Sequence, residues 1–293
     1  MTLPALVERL RRIPADARSF TLDARQAEAQ FGLPEATLRE LVALGLPSAR
    51  TDEGVRFAHV DLHYVGVRLG TAEAYLWAVR RWAESLERLA GREHAHVTVA
   101  YVPQLADGAA TEIGCVRLPT GEVRAVVMEH GRCAAEAQVA LEARWPELPA
   151  QARRIVDEVG GALDFCLVPA PLRGDVACAR RTGLSDCYTA ACLLVESLRA
   201  GGLAARLGSG ILMSVPYASP HTWAEVGVDG RWVPVDPLML HVMRDYGALD
   251  AGRWPLHRSL GPVLVRLGED PVALAWTDRG HVEVSLMTAA EPG

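Results

Sequence analysis

The feature that most constrains the fold is an Asp-Gly dipeptide at 229–230, set between two segments of alternating character. His221-Thr-Trp-Ala-Glu-Val-Gly-Val precedes it and Arg231-Trp-Val-Pro-Val-Asp-Pro follows. This pattern predicts a β-hairpin with a type I′ turn, whose two-residue loop sets the register. Val228 then opposes Arg231, Val226 opposes Val233 and Trp223 opposes Asp236. Strand side chains alternate between faces. His221, Trp223 and Glu225 therefore share a face with Trp232, Pro234 and Asp236, which makes His221 and Asp236 diagonal neighbours, near the reach of an imidazole and a carboxylate. The opposite face (Ala224, Val226, Val228, Val233 and Val235) is apolar and is expected to meet the core or a helix. A one-residue slip would separate the pair.

A second segment supplies a nucleophile. Residues 185–200 read Ser-Asp-Cys-Tyr-Thr-Ala-Ala-Cys-Leu-Leu-Val-Glu-Ser-Leu-Arg-Ala, followed by Gly201-Gly202. Ser185 or Asp186 can cap a helix and the glycines can end it. Cys187 falls in the first turn, on the stripe continued by Ala191, Leu194 and Leu198. Unpaired N–H groups and the helix dipole there favour a thiolate and can hold an oxyanion. Taken alone, Cys187 reads as a core cysteine, His221 as a satisfied histidine and Asp236 as a turn residue. Taken together they supply a nucleophile, a base and an orienting carboxylate, in that chain order. His241 and His257 are competing bases without a carboxylate placed by strand register. Cys192, mid-helix, reads as structural.

Composition narrows the chemistry further. All 30 basic residues are arginine, so lysine Schiff-base, P-loop lysine and Ser-Lys mechanisms are excluded. No asparagine is present, which excludes a Cys-His-Asn triad and makes Asp the natural third member. The six cysteines (115, 133, 166, 178, 187 and 192) show no C-x-x-C spacing. Glu8, Arg9, Arg11 and Arg12 interrupt any signal-peptide core, so a cytoplasmic location without disulfides is expected. No apolar run approaches the length of a membrane helix. The net charge of −6 argues against a broad nucleic-acid surface. His59 with His63 and His94 with His96 are isolated pairs, whereas zinc needs three or four convergent ligands. No metal or cofactor is expected.

The length of 293 residues suggests about two domains. Residues 1–92 read as a helical region, with Leu38, Leu41, Val42 and Leu46, then Tyr75, Leu76, Val79, Trp82 and Leu86, at helical spacing. Phe31 to Phe57 reads as a small helix-turn-helix-like unit. It faintly resembles the front of MerR-type DNA-binding domains, but residues 1–90 carry 12 Arg against 12 acidic residues, where a DNA reader should be locally basic. A packing or docking role is expected instead. Residues 93–293 read as an α+β domain, with strands near 96–128, a helix over 133–160, the Cys187 helix, the hairpin, and a C-terminal meander through 262–267, 272–276 and 281–286.

At Ser185-Asp-Cys-Tyr-Thr-Ala-Ala-Cys-Leu-Leu, Leu198-Arg-Ala-Gly-Gly-Leu-Ala-Ala-Arg with Gly208 and Gly210, His221-Thr-Trp-Ala-Glu-Val, and Gly230-Arg-Trp-Val-Pro-Val-Asp-Pro, the sequence resembles the transglutaminase-like superfamily. The match spans roughly residues 175–240. The resemblance implies a Cys-bearing helix packed on an antiparallel sheet, with Cys187 as nucleophile, His221 as general base and Asp236 as its orienter. Trp223 is a candidate substrate contact. Ser185 stands where the family usually has Gly, and the acidic residue common just after the Cys is missing, so the second oxyanion donor is left unassigned. The expected activity is acyl transfer through a Cys187 thioester, forming or exchanging an amide on a small molecule, a peptide or a carrier-bound acyl group, with an amine or water as acceptor. The alternatives are a cysteine peptidase or amidase using the same triad, and an inactive binding module.

Overall fold

The structure, a computed structural model, describes residues 2–92, 94–105 and 111–290. The helices are α1 (Leu3–Leu10), α2 (Ala24–Phe31), α3 (Glu35–Ala43), α4 (His59–Leu69), α5 (Glu73–Ala90), α6 (Ala150–Ala162), α7 (Val176–Thr182), α8 (Cys187–Ala200) and α9 (Pro237–Gly247). The strands are β1 (Phe20–Leu22), β2 (Ser48–Thr51), β3 (Gly54–Ala58), β4 (His94–Gln104), β5 (Glu112–Arg117), β6 (Val123–Met128), β7 (Ala135–Glu142), β8 (Asp164–Phe165), β9 (Leu184–Ser185), β10 (Ala205–Leu212), β11 (Tyr217–Val228), β12 (Arg231–Val235), β13 (Leu264–Gly268), β14 (Ala275–Thr277), β15 (Gly280–His281) and β16 (Glu283–Ala290).

The main sheet is antiparallel, in the order β13-β10-β11-β16-β4-β7. Strand β11 changes partner along its length: Tyr217 and Ala218 pair with β16, while Ala224 to Val228 pair with β12. The hairpin register is the one the Asp-Gly turn dictates, with Val228 opposite Arg231 and Val226 opposite Val233. Asp229 (φ 48°) and Gly230 (φ 77°) both have positive φ, as a type I′ turn requires. The apolar face of the hairpin meets α8 and α6: Ala224, Val226, Val233 and Val235 pack with Leu194, Val195, Leu198, Ala152 and Val156. The chain is therefore α+β, with the Cys-bearing helix packed against an antiparallel sheet.

Helices α1 to α4 and strands β1 to β3 enclose a core of their own around Leu6, Leu10, Phe31, Leu38, Leu41 and Leu62, which also takes in Cys166 and Leu184. Within it, α2 and α3 are joined by Gly32-Leu33-Pro34, and the β2–β3 hairpin follows. Glu35, Arg39 and Glu40 line the exposed side of α3. Helix α5 lies within residues 1–92 yet packs in the main core: Val79, Ala83, Leu86 and Leu89 join Val97, Val99, Met239 and Met243.

Two expectations are corrected. Residues 135–142 form β7 rather than a helix, and only 150–162 are helical. Ala, Glu and Gln in this stretch favour a helix, but Ala135, Val139 and Leu141 lie on one strand face and are buried against β4. The C-terminal strands form a meander only in part: β14 and β15 make a tight hairpin, with Trp276 opposite His281, but the other pairings are distant. Strand β13 pairs with β10, β14 with β5, and β16 with β4 and β11. Residues 264–268, 275–277 and 283–290 are extended, and β13, β14 and β16 each take a partner from far earlier in the chain.

Candidate active site

Three segments converge on Cys187. Asp186 caps α8 by accepting a hydrogen bond from the Thr189 N–H at 2.8 Å, which makes Cys187 the first helical residue. Its own N–H lies outside the i→i−4 ladder. Just upstream, β9 pairs in parallel with β8, so Ser185 lies opposite Phe165. Strand β8 is held in turn by the N-terminal region. The carboxylate of Asp164 takes Arg9, Arg68 and, at 3.0 Å, the hydroxyl of Tyr64. Helices α1 and α4 thereby fix the segment leading into Cys187.

His221, on β11, and Asp236 are both buried, and His221 Nε2 stands 2.6 Å from Asp236 Oδ2. With Nε2–H donating to the carboxylate, Nδ1 is the nitrogen left for the thiol; this tautomer is assigned from the partner. The expected Trp223–Asp236 strand pair is absent, because strand pairing ends at Ala224 opposite Val235. Asp236 turns out of the hairpin to cap α9, accepting from the Met239 N–H at 2.8 Å with its other oxygen. One carboxylate thus orients the imidazole and starts a helix, an arrangement that fixes its rotamer.

Burial alone would lower the His221 pKa. The hydrogen bond to Asp236, the side chain of Cys187 and the charges on both outweigh that burial and push it up to about 10. Its two neighbours, a carboxylate on one side and the sulfur on the other, thus favour the protonated ring.

Gly208 and Gly210 lie across from Trp223 and His221 on β10. A Cβ on Gly208 would stand 2.4 Å from Trp223 Nε1, and one on Gly210 would stand 2.0 Å from the Val265 carbonyl. Both glycines are needed for close approach. Trp223 is corrected as a substrate contact. It is 1% exposed, packs in the main core, and lies beside the imidazole with ring centroids 6.3 Å apart. It is a wall behind His221 and offers a substrate no surface.

The remaining candidates separate by location. Burial raises the thiols of Cys166, Cys178 and Cys192, while Cys187 is half-buried and Cys133 is exposed. His241 and His257 do find carboxylates, Asp245 at 3.4 Å and Asp157 at 2.8 Å. His257 lines a cavity of about 460 Å³ whose wall includes none of Cys187, His221 and Asp236. His59 and His63 stack 6.3 Å apart, while the side chain of His94 lies outside the described residues. Among the described residues no group of three or more His, Cys, Asp or Glu could hold a metal, and no helix is long and apolar enough to cross a membrane.

Sequence reasoning missed Tyr75 at this site. It was read only as part of an apolar stripe on α5. Its hydroxyl is buried, has no hydrogen-bond partner among the described residues, and lies in the field of Cys187 and Asp236. A phenol on an otherwise apolar helix stripe was the available signal.

Residues 124–237 match the family model of the transglutaminase-like superfamily. The match takes in Cys187, His221 and Asp236 and reaches back to β6, well ahead of residue 175. The class that this core and site define is the thiol enzymes, acyltransferases or hydrolases. No curated protein sequence matches the chain. Among solved structures, the chain is similar to a "Putative Cysteine Protease from Cytophaga hutchinsonii" at 12% identity and a TM-score of 0.34, covering 68% of this chain and 90% of that one.

Proposed function

We propose that Cys187, His221 and Asp236 act as a triad for acyl transfer through a Cys187 thioester. The observation that carries this reading is the buried His221–Asp236 pair, with one ring nitrogen engaged at 2.6 Å and the other left for a cysteine at a helix N-terminus. His221 takes the thiol proton of Cys187 as the sulfur attacks an amide or thioester carbonyl, and the carbonyl carbon becomes tetrahedral. As that intermediate collapses, His221 protonates the leaving amine or thiol, and the acyl group stays on sulfur. An amine acceptor then attacks the thioester while His221 takes its proton; as the C–S bond breaks, His221 returns that proton to the sulfur, releasing an amide and restoring the thiol. Asp236 holds the ring and stabilises the imidazolium throughout. Water as acceptor turns the same cycle into hydrolysis. Cys187 is half-buried rather than enclosed, and the acyl group it takes is that of a small molecule, a peptide or a carrier.

Turnover of p-nitrophenyl acetate tests this directly. The wild type should show a burst of one equivalent with acetyl on Cys187, and Cys187→Ala should show none. With glycinamide added, acetyl-glycinamide should exceed acetate. Acetate alone at every amine concentration would assign a hydrolase instead, and an unchanged burst in Cys187→Ala would remove Cys187 from the chemistry. Iodoacetamide mapping should find Cys187 alkylated ahead of the more exposed Cys133.

A further inference from the structure

A tetrahedral intermediate needs donors aimed at its oxyanion. The Cys187 N–H supplies one, and Ser185 leaves the other unassigned. We propose that the Tyr75 hydroxyl, supplied by α5 from outside the matched core, is the second oxyanion donor at Cys187. This inference rests on the thiol mechanism above.

Independent contacts bring Tyr75 to this place. Its ring stacks on Phe165 with centroids 5.5 Å apart and planes 8° from parallel. Phe165 is the β8 residue opposite Ser185, two positions before the nucleophile. His63 and Trp82 meet the Tyr75 ring edge-on at 4.8 and 5.9 Å, so the ring has little freedom. The hydroxyl at its tip has no partner among the described residues. A buried hydroxyl without a partner is costly, because it has given up its water and gained nothing in return. That cost is offset when an acceptor arrives. An oxyanion at the Cys187 acyl carbon is such an acceptor, and it exists only during the reaction. Burial first, then the nearby Cys187, Tyr246 and Asp236, raise the phenol well above its ordinary value, so it remains a donor throughout the neutral range. The charges facing it come from α8 (Cys187), α9 (Tyr246) and the end of the hairpin (Asp236); His63 on α4 is held neutral by its own burial.

The test is Tyr75→Phe in the full chain, with p-nitrophenyl acetate turnover and iodoacetamide alkylation of Cys187 measured side by side. Ester acylation develops an oxyanion, whereas alkylation does not. The expected result is a kcat about 100- to 1,000-fold lower, with the alkylation rate within about threefold of wild type. The melting temperature should hold or rise, since the hydroxyl makes no bond in the resting enzyme. A kcat within about threefold of wild type would overturn the proposal. So would a parallel loss of alkylation, which would put Tyr75 on the thiol rather than on the oxyanion. A variant that fails to fold would overturn the premise that the hydroxyl is unpartnered. Failure of the underlying triad reading looks different: Cys187→Ala would keep the wild-type burst.

Discussion

Replacing Asp236 with Asn keeps a side-chain oxygen for the Met239 N–H, and Asn is as good a helix cap as Asp. What it removes is the charge beside a buried imidazole. In the wild type His221 is raised from 6.5 to about 10. At about 1.4 kcal/mol per pH unit, that difference is worth about 5 kcal/mol, shared between Asp236 and Cys187. Breaking a buried ion pair costs about 3–5 kcal/mol, which agrees. The sign follows from linkage. A group whose folded pKa is raised stabilises the fold fully below its unfolded pKa and loses that contribution as pH rises through the folded one. The destabilisation by Asp236→Asn should therefore be several kcal/mol near pH 6.5 and should shrink as pH approaches about 10. The chain suits this measurement because it has no lysine, so no lysine ammonium titrates across the same window. Urea unfolding of both proteins across that range gives the difference, and NMR of labelled histidine should show the His221 titration falling clearly below its wild-type position, since only Cys187 is then left to oppose burial. A penalty that stays constant from neutral pH to about pH 10 would refute the reasoning.

Other consequences follow from particular contacts. Gly208→Ala puts a Cβ 2.4 Å from Trp223 Nε1, so the indole that lies beside His221 must shift; a loss of about 1–3 kcal/mol in thermal unfolding and a fall in kcat are expected together. Arg18→Met leaves Asp61 buried beside no cation, where its pair is 2.7 Å long and both side chains are inaccessible; about 3–5 kcal/mol should be lost, and Arg18→Met/Asp61→Leu should recover only part of it, because the Leu10, Ile13 and Pro14 carbonyls still lose their donor. His63 is lowered to about 4 by burial and by His59, so the unfolded chain binds its proton first and stability falls as pH drops from 6.5 toward 4; His63→Phe should flatten that acid limb in a pH series of melting curves. The imidazolium of His221 is the acid in the proposed cycle, so turnover of an acyl anilide, whose amine leaving group needs that proton, should decline as pH passes about 10.

Local rules made part of this site readable. Asp229-Gly230 set the hairpin register because a type I′ turn tolerates few other residues. Asp186 and Gly201-Gly202 bounded α8, so Cys187 was legible as a helix-start cysteine. His221 and Asp236 were legible as neighbours, although by a route only partly right: strand alternation brought them close, and the closing contact came from Asp236 turning to cap α9. Trp223 was misjudged because alternation reports the face of a strand but not what covers that face. Strand β7 was misjudged because propensity is a weak prior when tertiary burial opposes it.

What the chain determines by itself is local: where a turn must fall, which residue can start a helix, which nucleophiles and bases exist, and which mechanisms the lack of lysine and asparagine forbids. These depend on backbone sterics and side-chain chemistry within a few residues. Only the folded molecule decides that β13, β14 and β16 pair with strands far upstream, that Asp164 gathers Arg9, Arg68 and Tyr64, and that α5 carries Tyr75 to Cys187. Those partners are chosen by burial summed over the whole chain, which no short window of sequence contains.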